Sequence, residues 1–498
     1  MISERLARMT ANHGEQAAVV DGPETIAWRD LARRKASFAR FLRRRAGVRP
    51  GDVVASCLAN CWEFIVGSFA AAEIGAIWMP VNPQWRGREV AWLAGRLPIS
   101  CVVTSTELGE PWLGLGDALP RSRVIPVDGA EAAGALAGAL SGTETDASGG
   151  EAPWREQPLI YLLTSGSTGR PRIVPRSHRG MLVGVSNVAA ALGVEPGMRF
   201  LGVAPFHHAT GFGNTILLAL LHGAAVVVMR KFHPRMLAEV VGGEKIGVIN
   251  GSPFIFRSVA DSVSDPGAFQ SLKICTSAGA AMPPPVTRRC RERLGFEVRQ
   301  LYGSSEVGTV SIEARGSGVE GAAGKPLPQV EVRLLRPDGS EAPPGEPGEI
   351  VVRSPAMTGG YFDEPELNRQ AFVNGFFRTG DQGRFGADGN LFIVGRLKKL
   401  INAGGVKVDP EEIEQVLAAM PEVGSCRVTG ISGSGQTEVV AAQIAVRAGA
   451  ALSRASVLEH LRSHLAEYKI PRVIEILDAL PEEVSGKTPA PWSRMDQE

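Results

Sequence analysis

The sequence predicts an α/β protein with a large N-terminal domain of parallel sheets, a small barrel-like β subdomain and a compact C-terminal α+β unit. Three observations predict it. Apolar runs of strand length alternate with helical patterns through most of the chain, the arrangement of βαβ units. Around Val330 to Val352 the pattern changes to short strands separated by Gly/Pro turns such as Pro337-Asp338-Gly339. Beyond Leu397 it changes again, to a few strands and helices. A chain of 498 residues is long enough for two or more domains.

In order, Leu31 to Arg45 reads as helix, Val53 to Leu58 as strand, Cys61 to Ile74 as helix and Ile77 to Val81 as strand. Arg88 to Leu97 is helical again, before the strand Cys101 to Thr104. Asp128 to Glu151, rich in Ala, Gly, Ser and Thr, reads as a surface loop or weak helix. Leu159 to Leu163 is a buried strand, and Ile173 to Pro175 is extended, with helix from about Ser177. Strands follow at Phe200–Ala204, Ala224–Met229, Val248–Asn250 and Leu272–Thr276, with helices at Asn214–Leu221, Pro234–Val241 and Pro285–Leu294. In the last unit Pro410–Met420 and Ser453–Ala466 read as helices around the strand Val439–Val446. Glu411 and Glu412 suit the first of these helices at its N-terminus.

Composition narrows the function classes. A formal net charge of +1 argues against a general polyanion partner. The densest basic run, Arg33 to Arg45, is interleaved with Ala36, Phe38, Phe41 and Leu42, so it reads as the solvated face of an amphipathic helix rather than a nucleic-acid site. The six cysteines are scattered without a Cys-x-x-Cys pair, which predicts a reduced, cytoplasmic chain. No signal peptide or membrane-spanning stretch is expected.

The stretch with the densest chemistry is Thr164-Ser165-Gly166-Ser167-Thr168-Gly169-Arg170-Pro171-Arg172. Glycines let backbone N–H groups close on an anion, hydroxyls donate to phosphate oxygens, and arginine adds charge and a planar fork. Taken alone it is either a Ser/Gly turn or a phosphate cradle, and it lacks the Gly-Lys-Ser/Thr of a Walker loop. Pro205 to Gly211, with His207 and His208, follows a strand end, where open α/β sheets bind ligands. Gln300-Leu301-Tyr302-Gly303-Ser304-Ser305-Glu306 places a carboxylate beside hydroxyls, suited to a magnesium ion on phosphates or simply to a solvated turn. Thr379-Gly380-Asp381 offers a carboxylate for vicinal hydroxyls. Gly395 to Ile401, then Gly404 to Pro410, reads as an interdomain hinge with a glycine turn. Ser485-Gly486-Lys487 puts a lysine on a C-terminal loop.

In this order and spacing the segments resemble the ANL superfamily of adenylate-forming enzymes, which includes acyl- and aryl-CoA ligases, peptide-synthetase adenylation domains and luciferases. The resemblance runs from about Leu31 to Lys487. It implies an ATP- and acid-binding domain over 1–396 and a mobile domain over 397–498, turning about Lys398. ATP and a carboxylic acid would form an acyl-adenylate, which a thiol of CoA or phosphopantetheine then takes. Thr164, Ser165, Gly166, Ser167, Thr168 and Gly169 match the phosphate loop, with Arg172 where lysine is usual. Gly279, Ala280 and Ala281 would face Tyr302 across adenine. Gly303 and Ser305 belong to the same motif, Ser305 replacing a usual Thr. Glu306 would hold Mg2+, and Asp381 with Arg396 would bind the ribose.

His208 matches the histidine walling the acyl site, and Lys487 the adenylation lysine. Glu482, Glu483 and the Thr488-Pro489 continuation depart from the usual pattern around that lysine. Gly404, Gly405 and Lys407 would line the thiol channel after rotation. The implied acyl pocket is Ala209, Thr210, Phe212, Asn214, Ser252, Phe254, Ala278, Leu301, Val307 and Thr309, with Leu301 narrowing it where glycine is frequent. Since His207 to Phe212 contains no carboxylate, an α-amino acid is disfavoured and a small aromatic or short-to-medium acyl acid is expected. Carrier-protein loading, amide formation and a catalytically silent binding protein stay open as alternatives.

Overall fold

The computed structural model describes residues 2–116, 119–120, 123–138, 157–164, 171–396, 400–404, 406–432, 438–447, 449–478 and 480. The described residues through Arg396 form one compact unit, and those from Leu400 another.

The first unit is built on two mostly parallel sheets. The six-stranded sheet runs Val124–Pro126, Ile99–Thr104, Val53–Cys57, Ile77–Pro80, Pro158–Thr164, Arg172–Ser177. Only its last pair is antiparallel. The nine-stranded sheet runs Lys325–Pro326, Gly308–Ile312, Arg299–Ser304, Ile274–Ser277, Val248–Gly251, Arg199–Gly202, Ala225–Val228, Ala17–Asp21, Glu24–Ala27. Its central strands are parallel and its edges antiparallel. Every residue of Val53–Cys57, Ile77–Pro80 and Ala225–Val228 is buried, which is why these strands read as unbroken apolar runs rather than alternating ones. The region read as barrel-like is a five-stranded antiparallel sheet from Glu331–Leu335 to Leu391–Arg396.

An aromatic cluster packs between these elements close to the candidate site. Phe64 lies edge-on to Trp78 at 5.7 Å and contacts Phe206 and Phe212 at 5.6 and 6.4 Å between ring centroids. Gly67 makes that packing possible, because a Cβ there would stand 2.8 Å from the Trp78 ring.

The helix Asn214–Leu221 takes a different form from the one expected. Thr210–Leu217 is π-helical, and only Leu218–Leu220 is α-helical. The Thr215 hydroxyl donates to the Thr210 carbonyl at 3.4 Å, one residue further back than an α-helical turn allows. Gly211 cannot be replaced here, since a Cβ would lie 2.1 Å from the Pro205 carbonyl oxygen. Asp128–Glu151 contains the short helix Ala130–Leu136, and its remainder from residue 139 lies outside the described residues. The N-terminal helix Ile2–His13, the hairpin that follows it and the helix Pro253–Ser262 were not legible in the sequence.

The second unit pairs Val423–Ser432 with Glu438–Val446 antiparallel and the latter with Val473–Leu477 parallel. The helices Pro410–Ala418 and Arg454–His464 cover this sheet. Asp409 caps the first helix by accepting from the Glu411 N–H at 2.9 Å. Buried Lys469 closes the unit with an ion pair to Glu412 at 2.8 Å.

Candidate active site

Tyr302, Asp381 and Arg396 converge. The strand Phe376–Phe385 pairs with Leu391–Arg396 so that Asp381 stands opposite Arg396. One Asp381 oxygen accepts from the Tyr302 hydroxyl at 2.8 Å and the other from Arg396 Nε. Burial, then the Asp381 charge, pushes the Tyr302 phenol well above its ordinary value, so it stays a donor. Arg396 Nη1 is buried without a partner among the described residues. A planar ring, a carboxylate and an unused guanidinium donor suit a base with a vicinal diol.

The segment Gly279–Ala281 is held beside them by Gln300. Its amide donates to the Ser277 and Ala280 carbonyls at 3.2 and 3.1 Å and its oxygen accepts from the Met282 N–H at 2.7 Å. Gly279 has φ +87°, a conformation open to glycine.

The second cluster surrounds Glu306. Thr164 and Arg172 face each other across the antiparallel hairpin, while Ser165, Gly166, Ser167, Thr168 and Gly169 lie outside the described residues. The Arg172 guanidinium lies over the Tyr361 ring at 5.2 Å, and the Tyr361 hydroxyl donates to Glu306 Oε1 at 2.9 Å. Arg176, 3% exposed, donates to the Ser305 and Ala356 carbonyls. Burial lowers its pKa to about 10, a fall that the Glu306 charge opposes, so it remains a cation at neutral pH. Gly303 permits the tight reversal that carries Ser304, Ser305 and Glu306, because a Cβ there would meet the Gly308 carbonyl at 2.3 Å. Among the described residues no three His, Cys, Asp or Glu side chains gather as a metal cage. The single buried carboxylate of Glu306 would hold Mg2+, a hard cation that takes oxygen ligands.

The third group flanks His208. Its ring lies 4.3 Å from that of His207. Burial lowers the His208 pKa from 6.5 to about 4 and holds His207 well below 6.5 as well. Both rings are therefore neutral at pH 7, which suits a pocket wall. The unfolded chain takes up these protons near pH 6.5 and the folded His208 only near 4. Stability is expected to fall as pH drops through that window, and less so in His208→Asn. Denaturant melts at pH 7.5 and 5 check this; equal pH dependence in both proteins would contradict it.

The loop carrying both histidines is fixed by Asn60, which the sequence reading missed. Asn60 Nδ2 donates to the Gly202 and Ala204 carbonyls, both at 3.0 Å, and its Oδ1 accepts from the Phe206 N–H at 2.8 Å. Asn60→Leu strands these buried backbone groups at a cost of about 1–3 kcal/mol. We expect kcat/KM for the acid to fall about tenfold with little change in KM for ATP; equal losses for both substrates would mean a general folding defect.

Of the other residues expected to line the acyl pocket, Ala209, Thr210, Asn214, Ser252, Ala278 and Thr309 are half-buried. Phe212, Leu301 and Val307 are buried in the core. Phe254 is 44% exposed and packs edge-on against Phe232. In the second unit Gly404, with φ +65°, turns the hairpin that pairs Asn402 with half-buried Lys407. Lys398, Gly405 and Lys487 lie outside the described residues.

Comparison with known proteins gives the family. The model of the AMP-binding enzyme family matches residues 6–362, and that of the AMP-binding enzyme C-terminal domain matches 412–487. A feruloyl-CoA synthase of Amycolatopsis sp is 32% identical, covering 97% of this chain and 96% of its own. A 2-succinylbenzoate–CoA ligase of Geobacillus kaustophilus is 30% identical, covering 95% and 93%. The solved structure of the amide bond synthetase McbA from Marinactinospora thermotolerans superposes with a TM-score of 0.85 at 26% identity, covering 97% of each chain. The chain belongs to the AMP-binding enzyme family, the ANL superfamily of adenylate-forming enzymes.

Proposed function

We infer that this chain is an ATP-dependent, AMP-forming carboxylic acid–CoA ligase. The observation that carries the reading is the connected cluster Arg172–Tyr361–Glu306 in the same unit as the Tyr302–Asp381–Arg396 cluster. One suits phosphates and the other a nucleoside. The CoA ligases among the relatives support CoA as acceptor.

In the first step a carboxylate oxygen attacks the α-phosphorus of ATP and pyrophosphate leaves. Arg172 and the loop Thr164–Gly169 hold the phosphates, and Tyr302, Asp381 and Arg396 fix the nucleoside. Lys487 stabilises the charge that builds between the reactants. Magnesium, when bound at Glu306, supplies further neutralisation of phosphate charge. In the second step the CoA sulfur attacks the acyl carbon, the carbon–oxygen bond to phosphate breaks, AMP leaves and the thiol proton goes to solvent. The C-terminal unit, turning about Lys398, exchanges Lys487 for Gly404, Gly405 and Lys407 between the steps.

The acid is small and aromatic or a short-to-medium acyl acid. Small half-buried side chains at Ala209 and Ala278, and the bulk of Leu301 where glycine is frequent, support a narrow apolar pocket. Among the described residues no helix is long and apolar enough to cross a membrane. The unpaired cysteines support a reducing compartment such as the cytoplasm. The test is a panel of acids with ATP and CoA, scored for acyl-CoA and AMP. Product only with an amine or a carrier protein in place of CoA, or best turnover of long-chain or α-amino acids, would overturn the reading.

A further inference from the structure

We propose that Arg176 is a resident counter-cation for Glu306, and that its charge keeps the carboxylate from holding a divalent cation until ATP supplies its phosphates. This rests on the reading of Glu306 as the magnesium carboxylate of the ligase site and adds how that site is loaded. Arg176 acts through Glu306 and is a positioning residue.

Arg172 and Arg176 lie on the strand Arg172–Ser177, where alternation puts both on one face. Arg172 meets the cluster over the Tyr361 ring, whose hydroxyl donates to Glu306. Arg176 meets it from the backbone side, donating to the Ser305 carbonyl and, at 2.7 Å, to the Ala356 carbonyl. A Cβ at Gly308 would stand 3.4 Å from Arg176 Nη2, so backbone closes on the guanidinium there as well. Thr358 completes the enclosure. Its N–H donates to the Glu306 carbonyl at 2.8 Å and its hydroxyl to the Pro175 carbonyl at 2.6 Å. Arg176, Ser305, Glu306, Thr358 and Pro175 thus form a closed circuit of hydrogen bonds and chain neighbours.

Among the described residues the Arg176 hydrogen bonds go to neutral carbonyls, and its buried Nε has no partner. Carbonyls solvate the cation without cancelling its charge. The carboxylate whose charge favours the ionised guanidinium is Glu306, 8% exposed. A buried carboxylate without a counter-charge is costly, and Arg176 offsets that cost before any ligand arrives.

Charge then decides what can bind. Arg172 and Arg176 bring two positive charges to the one negative charge of Glu306. A bare divalent cation meets an excess of positive charge and is repelled. The phosphates of ATP reverse that balance, and Mg2+ is commonly held by a carboxylate together with substrate phosphates.

The test is Mn2+ binding read by electron paramagnetic resonance, since Mn2+ takes the same oxygen ligands as Mg2+. Without ATP, wild type and Glu306→Gln are expected to bind Mn2+ alike, because Glu306 holds none. Arg176→Gln is expected to gain ATP-free Mn2+ affinity by about tenfold or more, and to lose the gain when Glu306→Gln is added. Arg176→Lys keeps the charge and is expected to behave as wild type. An arginine with a merely structural role would affect the Gln and Lys variants alike. No gain in folded Arg176→Gln, an equal gain in Arg176→Lys, or a gain that survives Glu306→Gln would overturn the proposal. Glu306-dependent Mn2+ binding by ATP-free wild type would overturn it even where Arg176→Gln does not fold. These results leave the ligase reading intact. Mn2+ binding in the presence of ATP that is unchanged by Glu306→Gln would remove the metal from Glu306, and this proposal with it.

Discussion

Glu306→Gln is expected to lower acid-dependent ATP–pyrophosphate exchange by roughly two to three orders of magnitude. The substitution keeps the oxygen that accepts from Tyr361 but removes the only charge among the residues bonded in that cluster that can hold a cation. It also leaves buried Arg176 without the carboxylate charge that favours its ionised form. A stability loss on the order of 1–3 kcal/mol should accompany the activity loss. The two are separable by following exchange against magnesium concentration in protein shown to be folded. The variant should need more magnesium for half-maximal rate. Tyr361→Phe, which preserves the ring under Arg172, should lose only about tenfold. Exchange at the wild-type rate in Glu306→Gln would remove Glu306 from the phosphate site.

The second large effect is a split between the two half-reactions. Lys487→Ala is expected to reduce acyl-adenylate formation by about a thousandfold. Transfer from a chemically prepared acyl-adenylate to CoA should stay within a few-fold of wild type. The reason lies in the proposed function, in which the lysine acts while the carboxylate meets the α-phosphorus and gives way to Gly404, Gly405 and Lys407 before the thiol attacks. Equal loss in both half-reactions would mean that Lys487 supports the C-terminal unit rather than the first step. The same result would count against the exchange of segments about Lys398.

Much of the fold could be read from the residues because its strands are buried on both faces. Val53–Cys57 and Ala225–Val228 carry no polar alternation, and the helices between them supply the βαβ signal. The π-helical turn at Thr210–Leu217 was not legible, since its spacing is set by a close approach of Gly211 to Pro205 rather than by a periodic apolar face. The candidate site divides in the same way. Glu306, Tyr302 and Asp381 sit in glycine- and hydroxyl-rich stretches that mark themselves. Asn60, Gln300, Arg176 and Tyr361 act through side-chain contacts with segments distant in sequence, apart from Gln300's nearer partners. Nothing local distinguishes such residues from others of their type. Arg176 alone left a trace, four residues after Arg172 on one face of a strand of period two. The buried positions of Phe212 and Val307 depend on packing across the aromatic cluster and the core, which spacing does not encode.

The account's central claim is that a carboxylate oxygen attacks the α-phosphorus of ATP and stays there when CoA takes the acyl group. An acid labelled with heavy oxygen in its carboxylate, turned over with ATP and CoA, tests this in one measurement by mass spectrometry of the nucleotide product. The account predicts AMP carrying one heavy oxygen per turnover. Unlabelled AMP, or ADP with the label in inorganic phosphate, would contradict it.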